Sequence, residues 1–269
     1  MNKKSIIQFL AACVAFILTL VLIKEPSDRA GWIKFDLGLL SASLIEFVVY
    51  IWENHKKIKL ILSTTFINPN SEIRVSIAYL FRISINGKYF LVRNHRDQPG
   101  YQPVGGVYRY SKEGTTHDFT EIDAIPCTYM EVAAHSRNDL RLIIKKRKML
   151  RRFLSWFESR KNREIDPHRE FHEELVEEGL VSANTFPYIQ YDFIKKNMTS
   201  IQRSKKWPVD EFLYADIFEL NWENEEQKAA FEKLLNEESE KYIFATADEI
   251  KTGYTASGKV ILEHSKKIL

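Results

Sequence analysis

Two apolar runs near the amino terminus constrain this chain most, because long stretches without charge have few stable places to go. The first, Ile6 to Ile23 within "MNKKSIIQFLAACVAFILTLVLIKEPSD", spans 18 residues with Gln8 and Thr19 as its clear polar interruptions. As a helix it would reach about 27 Å at about 1.5 Å per residue. The second, "FDLGLLSASLIEFVVYIW" from Phe35 to Trp52, follows an 11-residue loop and ends in Tyr50 and Trp52, residue types common at membrane interfaces. Lys3 and Lys4 would suit a signal peptide, but "LTLVLIKEP" offers no small-x-small cleavage site. The expectation is a two-helix transmembrane hairpin in residues 1–55, with helices at about 6–23 and 35–52. Lys3, Lys4, Lys56, Lys57 and Lys59 place both termini on the cytoplasmic side of the inner cell membrane, although Lys24, Arg29 and Lys34 in the loop pull the other way. Glu46 would lie inside the second span, where an ionisable side chain faces a helix partner or a wet cavity. Gly38, Ser41 and Ala42 offer a small-residue packing face.

The rest of the chain reads as a connector over 56–74 and a mixed α/β domain over 75–269. With 45% hydrophobic and 13% aromatic residues there is ample material for a core. A net charge of +3 does not predict a DNA-binding protein. Cys13 and Cys127 alone exclude a disulfide framework and a cysteine-based zinc site. "RVSIAYLFRISINGKYFLVRNH" holds two β-rich runs around Asn86-Gly87, a strong hairpin signal. "QPGYQPVGGVYRYS" is a turn-rich loop with paired Gly105 and Gly106. Asp139 to Phe157 reads as an amphipathic helix with Lys145, Lys148, Arg151 and Arg152 on one arc, suited to solvent, lipid headgroups or ligand phosphates. Asp166-Pro167 then reads as a helix start.

That next helix is "REFHEELVEEGL", Arg169 to Leu180. At 100° per residue Glu170, Glu173, Glu174 and Glu177 share an arc of about 100°, while Phe171 and Leu175 project the other way. Four carboxylates on one face make either a solvated charge run or a divalent metal site.

Hairpin, glycine-pair loop and Arg-Glu-x-x-Glu-Glu helix, in that order, resemble the Nudix domain and its G-x5-E-x7-R-E-U-x-E-E-x-G-U box. "YQPVGG" is similar to the turn that opens the box, and Arg169, Glu170, Glu173 and Glu174 match its second half. Val104 stands where the turn has proline, Phe171 replaces the aliphatic U, Gly179 comes three residues late, and more than 60 residues separate Gly106 from Arg169. Glu113 and Glu164 both compete for the first Glu. With the two amino-terminal runs, "FATADEIKTGYT" and "KVILEHSKKIL", the whole chain resembles the SMODS-associated NUDIX effectors of bacterial CBASS antiphage systems.

The resemblance implies an α-β-α sandwich with a long helical insertion at about 112–165. It also implies a cyclic oligonucleotide made by a partner CD-NTase, sensing by the Nudix-like domain, and membrane disruption by a homo-oligomer in the lipid bilayer. If the chain is instead an enzyme, it would be a membrane-anchored Nudix hydrolase of nucleoside diphosphate derivatives, with Mg²⁺ on Glu170, Glu173 and Glu174. The degenerate box favours binding without turnover. Arg93, Tyr101, Gly105, Gly106, Tyr108 and Arg109 are the expected ligand-binding residues, through base stacking, backbone N–H groups and positive charge.

Overall fold

The computed structural model describes residues 3–22, 26–94, 99–129 and 138–269. They form two compact units, Met1–Ser63 and Thr64–Leu269.

The first unit consists of helix α1 (Lys3–Leu22) and most of helix α2 (Pro26–Phe66). Its helices are those expected, but their role as membrane spans is overturned. Among the described residues no helix is long and apolar enough to cross a membrane. The physical reason is clearest in α2, which runs unbroken for 41 residues and carries Asp28, Arg29, Lys34, Asp36, Glu46, Glu53, Lys56, Lys57 and Lys59 around its apolar stretch. The run from Phe35 to Trp52 is therefore the middle of a charged helix rather than a bounded span. Helix α1 is described from Lys3 to Leu22; Ile23 and Lys24 lie outside the described residues.

Polar chemistry also enters the seam between the helices. The Thr19 hydroxyl donates to the Asp36 carboxylate at 2.5 Å, with both residues buried, and the Phe9 and Phe47 rings stack at 4.7 Å. Glu46 is exposed, so its assignment to a membrane interior falls with the spans. Gly38, Ser41 and Ala42 are exposed too, and a Cβ added at Gly38 would meet nothing within 4 Å, so among the described residues no neighbour packs closely at Gly38. A two-span inner-membrane topology with cytoplasmic termini is not supported.

In the second unit the Asn86-Gly87 signal holds. Strand β1 (Ile73–Arg82) is followed by β2 (Ser84–Ile85), a turn in which Asn86 and Gly87 both have positive φ, and β3 (Lys88–Arg93). β2 pairs with β3, whereas β1 belongs to another sheet, so the chain changes sheet at Ile83. Strands β4 (Tyr101–Gln102) and β5 (Gly105–Val107) come next, then helix α3 (Lys112–Ile122) and strands β6 (Ala124–Pro126) and β7 (Arg141–Ile144). Helix α4 (Leu150–Glu158) and helix α5 (His168–Phe171), prolonged by a π turn over His172–Val176, precede strands β8 (Gln190–Met198), β9 (Gln202–Arg203) and β10 (Asp210–Asn221). Helix α6 (Glu225–Leu235), strand β11 (Tyr242–Ala245) and helix α7 (Ala247–Thr252) follow.

Among the described residues the larger sheet runs β6-β7-β1-β10-β8, with β5 also on β1 and β9 on β10. The smaller runs β11-β3-β2, with β4 on β3. β1 and β10 are parallel and both nearly continuous in apolar burial, as expected of strands covered on two faces. On one side, Leu80, Ala215 and Ile217 pack with Leu91 and Ile243 of the smaller sheet. On the other, Phe81 meets Phe171 of α5 and Tyr214 meets Phe157 of α4.

The insertion is not all helical. The segment from Asp139, expected as one basic helix, instead places Leu142, Ile143 and Ile144 in β7, all buried, with β1 and β6 on either side. Consecutive apolar residues with two β-branched isoleucines suit a covered strand better than an amphipathic helix. Several of its cations are spent locally, Lys145 on Glu72, Lys146 on Asp123, Arg147 on Asp210 and Arg152 on Glu121, while Lys148 and Arg151 are exposed.

Candidate functional site

The acidic helix is set where the glycine pair allows it. Asp166 accepts the His168 N–H at 2.9 Å just ahead of α5, and Phe171 and Leu175 are fully buried, as their spacing predicted. β5 brings Gly105 and Gly106 against the helix, with Gly106 opposite Tyr79 of β1. A Cβ on Gly106 would fall 2.0 Å from the Glu170 carboxyl carbon, so a side chain there would push that carboxylate from its present place beside Arg169. Gly105 has φ +148°, and its missing Cβ would lie 2.2 Å from the Tyr79 carbonyl oxygen.

Arg169 is the hub of the charge network. Its guanidinium donates to Glu164 at 2.9 and 3.2 Å, to Glu170 at 2.5 Å, to Glu173 at 3.2 Å and to the Val107 carbonyl at 3.1 Å. Burial works against this cation, but the Glu164 hydrogen bonds and the Glu170 charge outweigh it and hold Arg169 above its ordinary pKa. Glu173 reaches a second guanidinium, Arg109, at 3.6 Å, and Glu174 accepts the Gly105 N–H at 3.0 Å. Glu164 also accepts the Arg109 N–H at 3.1 Å, whereas Glu113 sits exposed in the first turn of α3. Glu164 is therefore the carboxylate that joins the box. Beneath the cluster the Tyr79 phenol is held protonated, its pKa pushed far up by burial and then by the Glu164 charge.

These side chains bear directly on the expected Mg²⁺. The space in front of Glu170 and Glu173 already contains guanidinium charge, and Glu174 is turned to a backbone amide. Among the described residues no three His, Cys, Asp or Glu side chains are grouped so as to hold a metal ion. With their oxygens engaged in this way, the arrangement does not fit a metal on Glu170, Glu173 and Glu174.

The expected ligand residues separate into two places. Gly105, Gly106 and Arg109 join the acidic helix, as described. Arg93 is exposed at the end of β3, paired across the smaller sheet with Tyr101, which is buried with its hydroxyl on the Glu240 carbonyl at 3.2 Å. Tyr108 is buried too: its ring packs between Tyr79 and Phe157, and its hydroxyl donates to Asp216 at 2.9 Å. Tyr101 lies away from the acidic helix, whereas Tyr108, though buried, lines a cleft beside the box.

Sequence reasoning missed a cleft of about 550 Å³ beside the box, lined by residues from α4, the turn after it, β8 and β10. Tyr214, Asp216 and Phe218 alternate on one face of β10, and Tyr191 and Phe193 alternate on β8, so the period-two pattern was the signal available. Arg163 closes one wall, its guanidinium 3.8 Å from the Phe157 ring centre and donating to the Phe157 and Glu164 carbonyls at 2.7 and 2.5 Å. Burial and the Asp166 carboxylate, 3.1 Å from its hydroxyl, push the Tyr191 phenol up to about 12.

The chain finds no match among curated proteins or solved structures. The family model described as the SMODS-associated NUDIX domain matches residues 72–269, well over half of the chain. The match takes in both sheets, the glycine pair, the insertion and the acidic helix; the chain belongs to the SMODS-associated NUDIX domain family.

Proposed function

We propose that this chain is a CBASS-type effector whose Nudix domain binds a cyclic oligonucleotide, made by a partner nucleotidyltransferase, without hydrolysing it. The observation that carries this reading is the Arg169 hub: Glu164, Glu170 and Glu173 all bond to one guanidinium, and Glu173 faces a second. A pyrophosphohydrolase needs carboxylates open to a divalent cation. Here they neutralise protein cations and hold β5 to α5. A cyclic ring of phosphodiesters contains no pyrophosphate to cut, so a domain of this shape serves it by binding alone.

The output element in this reading is the helical unit Met1–Ser63. Ile7, Ile45 and Trp52 are 61%, 66% and 78% exposed, part of an apolar surface far beyond scattered single residues. Ligand-bound domains gather copies, raising the effective concentration of these helices until a second copy covers them.

The test uses the purified full chain with Mg²⁺ and a panel of cyclic dinucleotides and trinucleotides. One member is expected to raise the melting temperature, since a ligand at 100 times its Kd adds about 2.7 kcal/mol. That ring is expected back intact after denaturation. Mg²⁺-dependent release of nucleoside monophosphate from a diphosphate-linked nucleotide, lost in the double variant Glu173→Gln with Glu174→Gln, would make the chain a hydrolase instead.

A further inference from the structure

We propose that the cleft between β8, β10 and the turn after α4 receives one nucleobase of the ligand together with its adjoining phosphate. This assignment rests on the reading of the domain as a cyclic-oligonucleotide binder, and names where that binding occurs. A volume of about 550 Å³ suits a nucleotide-sized guest.

Three features of the cleft point to this guest. The first is a β-bulge. β8 pairs with β10 as Phe193 with Phe218 and Lys195 with Ile217, leaving Ile194 as an extra residue. Without it Lys195 would share a face with Tyr191 and Phe193. With it Lys196 stands opposite Asp216 on the cleft side, and Lys195 turns away to the Leu269 carbonyl. The bulge thus delivers a cation to a wall otherwise made of aromatic rings.

The second feature is surface left open on those rings. Phe193 is 51% exposed, set edge-on to the buried Phe218, so its outer face is free to stack on a base. Positive charge lies beside it. Arg160 is exposed in a left-handed backbone conformation at φ 61°, and its guanidinium makes no ion pair among the described residues. The turn that holds it is fixed by Asn162, which donates to the Gly114 carbonyl at 2.7 Å. Lys196 is held at the rim by Glu158 at 3.2 Å.

The third feature is the floor. Asp216 is 8% exposed, and its two carboxylate oxygens accept the Tyr108 and Tyr214 hydroxyls at 2.9 and 2.8 Å. Each oxygen keeps a further lone pair directed by that fixed geometry. A base N–H is the complementary donor, and every nucleobase carries one: an amino group on adenine, cytosine or guanine, or a ring N–H on uracil and guanine.

The experiment is calorimetric binding to the full chain of cyclic diadenylate, cyclic diguanylate, cyclic adenylate-uridylate, cyclic diuridylate and cyclic triadenylate, at two salt concentrations. Phe193→Ala and Arg160→Ala are compared with wild type and with Lys205→Ala, an exposed residue outside the cleft. Both test side chains are exposed, so the melting temperatures without ligand are expected to be unchanged. The tightest-binding ring is expected to bind at least tenfold more weakly to each cleft variant, with a shallower salt dependence for Arg160→Ala. A ring that binds wild type and both cleft variants within twofold overturns the site. If wild type itself binds no ring, the reading beneath the assignment fails and the assignment with it.

Discussion

The acidic helix and the neighbouring cleft hold similar numbers of charged groups and use them in opposite ways. At the helix, charge is consumed internally: Arg169 alone ties three carboxylates and a main-chain carbonyl, and Arg109 serves Glu173 and Asp139. In the cleft, Arg160 pairs with no carboxylate among the described residues, and Arg163 bonds to carbonyls while stacking on Phe157. A region whose polar groups satisfy one another is architecture; one that leaves a cation and an aromatic face open has something to offer a ligand. In the proposed reading the catalytic-looking motif acts as a clamp, and the ligand binds in the neighbouring cleft.

The contrast can be broken most severely at its hub. Arg169→Ala leaves Glu164, Glu170 and Glu173 close together with no shared cation, and is expected to cost about 3 kcal/mol in chemical denaturation. That is the low end for a buried network, because the Glu173 side chain is 39% exposed. Next is Gly106→Ala, which drives a methyl group into the Glu170 carboxylate and is expected to cost about 2 kcal/mol, read the same way. Glu173→Gln removes one partly exposed charge from two guanidiniums and is expected to cost under about 1 kcal/mol, with ligand affinity unchanged. A metal-dependent hydrolase would lose its turnover entirely in that variant, so the small effect separates the readings. The mildest change is Tyr191→Phe, which drops the hydroxyl bond to Asp166 and keeps the ring in the cleft. It is expected to cost about 0.5 kcal/mol and to leave binding within twofold.

Much of the box was legible because it is local. Phe171 and Leu175 bury as their spacing requires, Asp166 accepts the His168 N–H ahead of the helix, and the Asn86-Gly87 turn takes the positive φ values that its residues permit. The choice between Glu113 and Glu164 was not legible, since it depends on β5 and the turn after α4 meeting in space, where Arg169 and the Arg109 N–H select Glu164. β7 was read as helix because its apolar residues fit both periods until pairing with β1 decides. The cleft draws on segments far apart in sequence, and its Lys196 reaches it through a one-residue bulge that no alternation pattern reveals. The amino-terminal runs depart from expectation for a different reason: α2 continues through charge on both sides of its apolar stretch, and Thr19 and Asp36 bond between the helices.

The central claim is that the Nudix domain holds its ligand and does not cut it. The most direct measurement is to incubate the full chain with Mg²⁺ and each labelled ring of the panel, then separate bound from released nucleotide and identify both. One ring retained by the protein and recovered intact after hours, unchanged by Glu173→Gln, is the result predicted. Linear or mononucleotide products that accumulate with time and disappear in Glu173→Gln would contradict it.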